Sequence, residues 1–505
     1  MRSLAELLPK AAAEHGDAVA LVAGERRINF RELEERAGTA AAALQDLGVE
    51  PGDRVALLSG NSPGFVEALH GVLRAGSVAA PLNVLSTPDE LGAVLADAEA
   101  RVALVDRAFL PALLAVRDRL ASLEEVVVMG AGRAPRRTLS FERLLGRAGE
   151  PSEVPVEPDD LAVLAYTAGT TDRPKGAMLT HGNLVSNMDQ ITGVPSLRQT
   201  RSDVVLAALP LFHIFGLNAV LGVALRAGAS LVLVERFDPA ATLELVARER
   251  VTILPGAPPM FAAWLRQEGD VDLSSVRLAV SGAAPLPGAL LEAFRDRFGI
   301  TILEGYGLTE TAPAVTTNAL GDEGRPDSIG RVLPGVDVRL WDEDGRDVEE
   351  GDPGEIVVRG ANVFRGYWRR PEETEAAFRD GWFRTGDVAY RDDDGYLHIV
   401  DRRRDLVIVS GFNVFPKEVE DAIVRHPAVA ECAVIGVPDE RTGEAVKAIV
   451  VPRPGETVSE EEIMDHCRDL LARFKWPRDV EIADELPRHE TGKVRRRLLR
   501  DGGSR

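Results

Sequence analysis

The chain has 505 residues, 45% of them hydrophobic and 28% charged, and its formal net charge is −21, so two or more domains are expected. The negative charge disfavours a nucleic-acid partner, although it is compatible with a local basic pocket for a small polyphosphate. No signal peptide or membrane span is expected, and two distant cysteines, Cys432 and Cys467, fit neither a disulfide framework nor a zinc site and favour a reducing cytoplasm.

The first two thirds of the chain alternate strand-like and helix-like segments. Apolar runs such as RVALLSG, LAVLAYT and RLAVSG alternate with helix-patterned segments such as FVEALHGVLRAG and PAATLELVARER. This alternation predicts an α/β fold with mainly parallel sheets that are covered on both faces. Asp238 stands directly before Pro239 and is predicted to cap the helix that follows.

The sequence changes in character from about residue 330. Short strands punctuated by Gly and Asp, such as GVDVRLWDEDG and GEIVVRG, predict a small antiparallel, barrel-like subdomain over about 330–400. Beyond it follow a helix pattern, two strands and a second helix pattern, SEEEIMDHCRDLLARF. We therefore expect an N-terminal domain at 1–400, a hinge at 401–404 and a small, mobile α+β domain at 405–505.

A polar loop follows the strand LAVLAYT. The stretch YTAGTTDRPKG supplies glycines for close backbone approach, threonine hydroxyls and the cation of Lys175, which is the combination that a phosphate chain needs. Its spacing is not the Walker A pattern G-x-x-x-x-G-K-[ST]. Taken alone, the loop is as compatible with an ordinary turn as with phosphate binding.

Six further motifs decide between these interpretations. They are PLFHIFG at 210–216, SGAAPL at 281–286, GYGLTE at 305–310, RTGD at 384–387, DRRRDLVIVSGFNVFPKEVE at 401–420 and PRHETGKVRRRLLR at 487–500. Together with the polar loop, and in the same order, they resemble the adenylate-forming superfamily over nearly the whole chain. That superfamily includes acyl-CoA synthetases, aryl-CoA ligases, luciferases and the adenylation domains of peptide synthetases.

The resemblance implies an AMP-forming acid–thiol ligase that uses ATP, Mg²⁺ and CoA. It implies that Tyr306 stacks on adenine, Thr309 contacts the α-phosphate and Glu310 holds magnesium. By the same resemblance, Asp387 and Arg402 bind the ribose. The other ATP-binding positions that it implies are Thr167, Gly169, Thr170, Thr171, Lys175, Gly282, Ala283 and Ala284.

The resemblance also implies catalytic and hinge residues. Lys493 in ETGKVRRR falls where the family has the lysine that meets the carboxylate and the α-phosphate, and a cation there offsets the charge that develops during adenylation. His213 is expected to act beside Thr309 and Glu310, and Arg404 is the expected hinge residue. The implied lining of the acyl and CoA tunnel is His213, Gly282, Gly411, Phe412 and Asn413.

Two positions in the polar loop depart from the family pattern. Ala168 stands where the family usually has serine, and Asp172 stands where it usually has glycine. Loss of the serine hydroxyl removes a donor that is worth about 1.5–3 kcal/mol when it is bonded to a charged phosphate. The departures leave a nucleotide-binding paralogue with weakened catalysis open as an alternative to an active ligase.

The substrate and the acyl acceptor also stay open. The motif PLFHIFG resembles ligases for fatty-acyl and aryl acids, so a hydrophobic carboxylic acid is expected. A related enzyme class loads an acyl carrier protein instead of CoA, and the segment RFKWPR at 473–478 is expected to form an exposed basic patch for either partner. The protein is expected to be a monomer or a homodimer.

Overall fold

The computed structural model describes residues 1–167, 174–321, 324–342, 344–402, 407–414, 416–487 and 499. The strands are β1 (Val19–Ala23), β2 (Arg26–Asn29), β3 (Arg54–Leu58), β4 (Val78–Pro81), β5 (Val102–Asp106), β6 (Glu125–Met129), β7 (Leu139–Ser140), β8 (Leu161–Thr167), β9 (Lys175–Thr180), β10 (Val204–Ala207), β11 (Ser230–Leu233), β12 (Ile253–Gly256), β13 (Leu278–Ser281), β14 (Ile302–Gly307), β15 (Ala314–Thr317), β16 (Arg331–Val332), β17 (Val336–Trp341), β18 (Gly354–Gly360), β19 (Phe378–Arg379), β20 (Trp382–Arg391), β21 (Leu397–Arg402), β22 (Val407–Val409), β23 (Phe412–Val414), β24 (Val429–Asp439), β25 (Gly443–Pro452) and β26 (Asp479–Ile482).

The helices connect these strands. They are α1 (Leu7–His15), α2 (Phe30–Asp46), α3 (Pro63–Arg74), α4 (Pro88–Ala98), α5 (Leu110–Val116), α6 (Phe141–Leu145), α7 (His181–Thr192), α8 (Val223–Ala227), α9 (Pro239–Arg248), α10 (Pro258–Leu265), α11 (Gly288–Phe298), α12 (Pro371–Ala377), α13 (Pro416–Val424) and α14 (Glu460–Leu470). A π-helical segment, Phe215–Gly222, runs directly into α8. Within the described ranges, no helix combines the length and the apolarity that crossing a membrane requires.

Two mainly parallel sheets form the large N-terminal part. One has the strand order β16-β15-β14-β13-β12-β10-β11-β1-β2, and the other has the order β7-β6-β5-β3-β4-β8-β9. Inner pairs such as β12–β13 and β3–β5 are parallel, whereas β1–β2 and β8–β9 are antiparallel. The inner strands read as nearly continuous apolar runs because helices cover both faces of a parallel sheet.

Side-chain caps fix where several helices begin. The Asp238 carboxylate accepts a hydrogen bond from the Ala241 amide at 2.8 Å, which confirms the predicted cap of α9. Ser62 caps α3 in the same way, since its hydroxyl accepts from the Phe65 amide at 3.1 Å. Each cap accepts a hydrogen bond from an amide that has no partner inside its helix. In both helices, proline occupies the first position after the cap residue.

The antiparallel part and the C-terminal part follow in chain order. Strands β17, β18, β20 and β19 form an antiparallel sheet, with β21 paired to β20. The C-terminal part has a separate sheet of order β23-β22-β25-β24, with β26 paired in parallel to β25 and with α13 and α14 packed against it. The predicted fold class is thus confirmed. The domain boundary stays a prediction, since 403–406 lie outside the described residues.

An ion pair joins the C-terminal part to the N-terminal part. The Lys475 ammonium lies 2.7 Å from a carboxylate oxygen of Glu90 in α4 and 2.7 Å from one of Glu418 in α13. Burial alone would lower the pKa of Lys475, but the two carboxylates outweigh burial and raise it. Lys475 is only 8% exposed, so the expectation of an exposed basic patch is wrong at this residue, which is instead buried between the two parts.

Candidate active site

A cavity of about 610 Å³ lies where the three parts of the chain meet. Its walls come from the ends of β8, β13 and β14, from β20 of the antiparallel sheet, and from Gly411 between β22 and β23. Parallel strands end at one edge of their sheet, so the segments after β13 and β14 open into the same space. The predicted site residues that line it are Thr167, Lys175, His213, Gly282, Ala283, Ala284, Tyr306, Thr309, Glu310, Asp387 and Gly411.

Two predicted nucleotide-binding residues are in direct contact. The Tyr306 hydroxyl, from β14, donates a hydrogen bond to the Asp387 carboxylate, from β20, at 2.7 Å. Asp387 is 7% exposed, and its amide donates to the Thr385 hydroxyl at 3.1 Å. The contact fixes an aromatic face and a carboxylate side by side, although the two residues lie in different sheets.

Glu310 lies close to a cation and an aromatic ring. It follows β14 in a short 3₁₀ turn, Thr309–Thr311, and its carboxylate accepts a hydrogen bond from the Tyr367 hydroxyl at 2.8 Å. The Lys175 ammonium lies 5.4 Å from the centre of the Tyr367 ring. Both Lys175 and Glu310 also line the cavity.

The site fits a magnesium ion that is shared with a phosphate ligand. Among the residues that the structure describes, no three His, Cys, Asp or Glu side chains converge as a protein-only metal site. Mg²⁺ is usually held by one or two carboxylates together with substrate phosphates and water. Glu310, which is 9% exposed and lines the cavity, supplies the single carboxylate that such a site needs.

His213 is neutral at physiological pH. Burial lowers its pKa to about 4, and its Nδ1 accepts a hydrogen bond from the Phe215 amide at 3.3 Å. An imidazole that accepts at Nδ1 carries its proton on Nε2. His213 can therefore donate one hydrogen bond to a ligand from Nε2.

Small residues leave room in the middle of the cavity. A Cβ atom on Gly282 would lie 3.0 Å from a ring carbon of Phe215 and 3.3 Å from the Gly305 carbonyl, so a larger residue would crowd this wall. Gly411 has a φ of +82°, which favours glycine, and a Cβ atom on it would lie 3.6 Å from the Cβ of Ala283. The C-terminal part thus reaches the cavity through Gly411.

Several predicted site residues cannot be placed in this cavity. Gly169, Thr170, Thr171, Arg404 and Lys493 lie outside the described residues. The backbone of Arg402, in β21, pairs with that of Asp387, and Asn413 lies in β23. The Phe412 ring packs 4.7 Å from the Phe474 ring inside the C-terminal part. The predicted roles of these residues stay predictions.

The cavity becomes apolar away from Tyr306, Glu310 and Asp387. It follows β12 and β13 back to the residues where these strands begin, Ile253 and Leu278. Burial of apolar surface in such a space contributes about 25 cal/mol per Å². The apolar lining includes Leu197, Ile214, Ala219, Val220, Leu278 and Val280.

A second cavity, of about 540 Å³, lies between the N-terminal and C-terminal parts. Its lining includes apolar residues of the N-terminal part and Ser410, the neighbour of Gly411. Arg266 and Arg441 line it as well, and the Arg266 guanidinium donates to the Glu440 carbonyl at 3.3 Å. The two cavities therefore adjoin on either side of the turn at 410–411.

Two family models match the chain on both sides of this turn. The AMP-binding enzyme model matches residues 8–368, and the model of the AMP-binding enzyme C-terminal domain matches residues 418–493. The chain belongs to the AMP-binding enzyme family. The two matches confirm the resemblance to adenylate-forming enzymes that the motifs of this AMP-binding enzyme indicated.

Curated relatives and a solved structure agree with the family. A long-chain-fatty-acid–CoA ligase of Yersinia pestis is 40% identical, over 99% of this chain and 94% of the relative. A feruloyl-CoA synthase of an Amycolatopsis species is also 40% identical, over 94% of each chain. A double mutant of o-succinylbenzoate CoA synthetase from Bacillus subtilis, bound with its product analogue OSB-NCoA, is 32% identical over 98% of each chain, with a TM-score of 0.88.

Sequence reasoning missed two polar features of this AMP-binding enzyme. Glu304 lines the main cavity and is 4% exposed; burial raises its pKa to about 8, and the Leu286 amide donates to its carboxyl at 3.2 Å. Arg384 donates twice to Glu355, at 2.6 and 3.1 Å, and so supports the part of β20 that carries Asp387. The RTGD motif includes Arg384, but no pattern in the sequence marks Glu304 or Glu355.

Proposed function

We propose that this AMP-binding enzyme is an acyl-CoA synthetase that activates a hydrophobic carboxylic acid. It forms an acyl-adenylate from ATP and the acid, then transfers the acyl group to CoA and releases AMP. The observation that carries the proposal is one cavity with Tyr306, Glu310 and Asp387 at one end and an apolar wall at the other. The named relatives are CoA ligases over nearly the whole chain, which confirms the expected ligase class.

Residues at the polar end bind and orient ATP. The Tyr306 ring offers a face to adenine, and its hydrogen bond to Asp387 holds that carboxylate where it can accept from the ribose hydroxyls. Lys175 supplies positive charge for the phosphates. Glu310 would hold Mg²⁺, which, when bound, neutralises phosphate charge and helps to orient the leaving pyrophosphate.

The first half-reaction joins two anions. A carboxylate oxygen of the acid attacks the α-phosphorus of ATP, and the bond from that phosphorus to pyrophosphate breaks. The Thr309 hydroxyl, at the cavity wall, stabilises the charge on the α-phosphate. Lys493, whose motif resembles that of the family's catalytic lysine, is proposed to offset the repulsion between the carboxylate and the phosphate.

The second half-reaction uses the contact between the two parts of the chain. The thiol of CoA attacks the acyl carbonyl of the adenylate, and AMP leaves. The second cavity adjoins the first at Ser410 and Gly411, so we assign it to CoA, with Arg266 and Arg441 as cations for the CoA phosphates. Neutral His213 donates from Nε2 to an oxygen of the acyl group.

CoA is a better supported acceptor than a carrier protein. The named relatives are a CoA ligase and a CoA synthase, whereas the basic patch, which was expected for either acceptor, lacks Lys475, because that residue is buried between Glu90 and Glu418. The weakened-paralogue alternative relies on Ala168 and Asp172, which lie outside the described residues. The named relatives act on long-chain fatty acids and on ferulate, so they leave aliphatic and aromatic acids equally open.

The proposal is tested by measuring acid-dependent pyrophosphate release from Mg-ATP. Fatty, aryl and amino acids are assayed with and without CoA, and thioester formation is followed in parallel. We expect release with a hydrophobic acid and an acyl-CoA product. Lys493→Ala should reduce release by about two orders of magnitude, whereas Lys10→Ala, at a surface ion pair, should leave it unchanged.

Each of the other outcomes would point to a different function of this protein. Pyrophosphate release without consumption of CoA would favour the carrier-protein alternative. Binding of ATP without release for any acid would favour the weakened paralogue. Equal activity of Lys493→Ala and the unmodified protein would remove Lys493 from the reaction.

A further inference from the structure

A carboxylate outside the main cavity lies at the centre of a polar cluster. Asp97, in the last turn of α4, has a side chain that is only 13% exposed. Its carboxylate accepts hydrogen bonds from the Tyr166 hydroxyl at 2.9 Å and from the Arg370 guanidinium at 2.6 Å. Its backbone carbonyl accepts from the Trp368 indole at 3.1 Å. The proposed reaction gives no role to any of these four residues.

The bond from Tyr166 fixes the first end of the polar loop. Tyr166 directly precedes Thr167, which is the last residue of β8 and lines the main cavity. Successive side chains of a strand point to opposite faces, so Tyr166 can be held by Asp97 while Thr167 meets the cavity. The contact with α4 therefore sets the position of the residue from which the loop departs.

Trp368 fixes the second end of the polar loop. Its amide donates to the Gly176 carbonyl at 2.7 Å, and Gly176 follows Lys175, the cavity residue at which β9 begins. The backbone of Lys175 also pairs with that of Thr167. Since the indole of Trp368 is bonded to the Asp97 carbonyl, both ends of the loop are tied to one residue of α4.

The segment that carries Trp368 also supports Glu310. The neighbouring Tyr367 forms a backbone bridge to Ala177 in β9, and its hydroxyl donates to the Glu310 carboxylate at 2.8 Å. Arg370 ends this segment directly before α12 and is bonded to Asp97. The polar cluster thus connects the loop to the carboxylate that we assign to Mg²⁺.

Arg370 allows a carboxylate to occupy this place. The pair of Arg370 and Asp97 is largely shielded from water, with side chains that are 19% and 13% exposed. A shielded carboxylate without a partner would be costly, whereas a close guanidinium compensates its charge. Asp97 can therefore hold Tyr166 without adding an uncompensated negative charge beside a site for phosphates.

We propose that Asp97 is a positioning residue for the triphosphate of ATP. It holds Tyr166 and Trp368, and through them it fixes the two loop ends, Thr167 and Lys175, relative to each other. Donors that are held in place before binding need little further ordering, which favours affinity. This inference rests on the proposed ligase function and names a residue that supports its ATP site without touching the ligand.

The inference predicts that ATP and AMP respond differently. The residues that we assign to adenine and ribose, Tyr306 and Asp387, are held by their own hydrogen bond between β14 and β20. AMP lacks the β- and γ-phosphates, which we assign to the polar loop. A loss at Asp97 should therefore weaken ATP and spare AMP, whereas general damage to the fold would weaken both.

Calorimetric titrations with Mg-ATP and with AMP, in the absence of any acid, test this role. Asp97→Asn keeps the size of the side chain and the backbone carbonyl but removes the charge, and Tyr166→Phe removes only the donor hydroxyl. In each variant the Kd for ATP should rise about tenfold, and the Kd for AMP should change less than twofold. The double variant should lose little more than either single variant, because both changes remove the same bond.

Two further variants separate failure of this inference from failure of the proposed function. Asp89→Asn makes the same change in the same helix, at a carboxylate that pairs with Arg119 at 2.8 Å, and should bind both nucleotides as the unmodified protein does. Lys175→Ala should weaken ATP and spare AMP.

The outcomes are distinct. If Lys175→Ala acts on ATP alone, an equal loss for both nucleotides in Asp97→Asn and Tyr166→Phe, or no loss in either variant, would overturn the role of Asp97 alone. If Lys175→Ala does not weaken ATP selectively, the polar loop does not hold the triphosphate. That result would overturn this part of the proposed function and the role of Asp97 with it.

Discussion

The two ends of the main cavity are built on different principles. At the proposed nucleotide end, hydrogen bonds between residues from different parts of the fold hold the polar groups in place, as Tyr306 does for Asp387 and Tyr367 does for Glu310. At the acyl end, side chains such as Leu278 and Val280 form a wall by shape alone. The difference indicates that the reaction depends on a few positioned charges, whereas the choice of acid depends on the wall, so the two should be separable by mutation.

The largest expected effect is at Glu310. Glu310→Gln keeps the size of the side chain but removes the only carboxylate that we assign to Mg²⁺, so pyrophosphate release should fall at least about 100-fold. Steady-state kinetics with a fixed hydrophobic acid measures this loss. The rank order of acids by their rates of pyrophosphate release should not change. The exposed control Glu350→Gln should behave as the unmodified protein. A changed rank order would contradict the division of the cavity into a reactive end and a selective end.

Glu304 gives a pH-dependent prediction for the nucleotide end. Burial raises its pKa to about 8, above the value of an unfolded chain, so the folded protein retains a proton that the unfolded chain has already released. The protonated Glu304 side chain therefore contributes to the free energy of unfolding. This contribution is complete at low pH and is lost as the pH rises from about 4.5 to 8. Relative to Glu304→Gln, the unmodified protein should lose about 4 kcal/mol of unfolding free energy between pH 5 and 8.5, since each pH unit over which the folded and unfolded chains differ by one proton contributes about 1.36 kcal/mol.

Urea unfolding at three pH values measures this difference. The variant keeps a polar group beside the Leu286 amide, so its fold should be retained. A difference between the two proteins that does not vary with pH would show that Glu304 is ionised throughout.

Val280 tests the acyl end. Val280→Phe adds bulk to a residue that lines the cavity in β13, so kcat/KM for the longest or widest acid should fall about tenfold relative to short acids. The KM for ATP should change less than twofold. Val424→Phe, at an exposed position in α13, is the matched control. An equal loss of kcat/KM for every acid in Val280→Phe would show that the apolar wall does not select among acids.

The smallest expected effect lies outside both ends, at the ion pair between Lys475 and Glu90. Glu90→Gln removes this charge contact but keeps the hydrogen bond to the Thr87 amide that begins α4. The C-terminal part should then spend less time in the position that brings Gly411 to the cavity. Thioester formation from a preformed adenylate should slow about two- to fivefold, with pyrophosphate release unchanged.

Asp89→Asn provides the control for this ion pair. Asp89 is the neighbour of Glu90 in α4 and pairs with Arg119 inside the N-terminal part. Its substitution should leave both half-reactions unchanged. A loss of pyrophosphate release in Glu90→Gln would show that the contact supports the fold rather than the second half-reaction.

The sequence predicted the nucleotide end far better than the acyl end. Tyr306, Glu310 and Asp387 stand in contiguous motifs, because each motif is a short segment at the end of β14 or within β20. The fold class followed from the alternation of strands and helices. Glu304 stands alone among residues of other types, and its raised pKa depends on burial that only the folded chain provides. Lys475 looked like part of an exposed basic patch because its two partners, Glu90 and Glu418, are distant in sequence.

The most direct test of a cavity with a reactive end and a selective end is a crystal structure with a non-hydrolysable analogue of an acyl-adenylate. The account predicts adenine against Tyr306, ribose hydroxyls on Asp387, and an acyl chain that runs along β13 to Leu278. An acyl chain that leaves the cavity in another direction, with Val280 and Leu278 untouched, would contradict it.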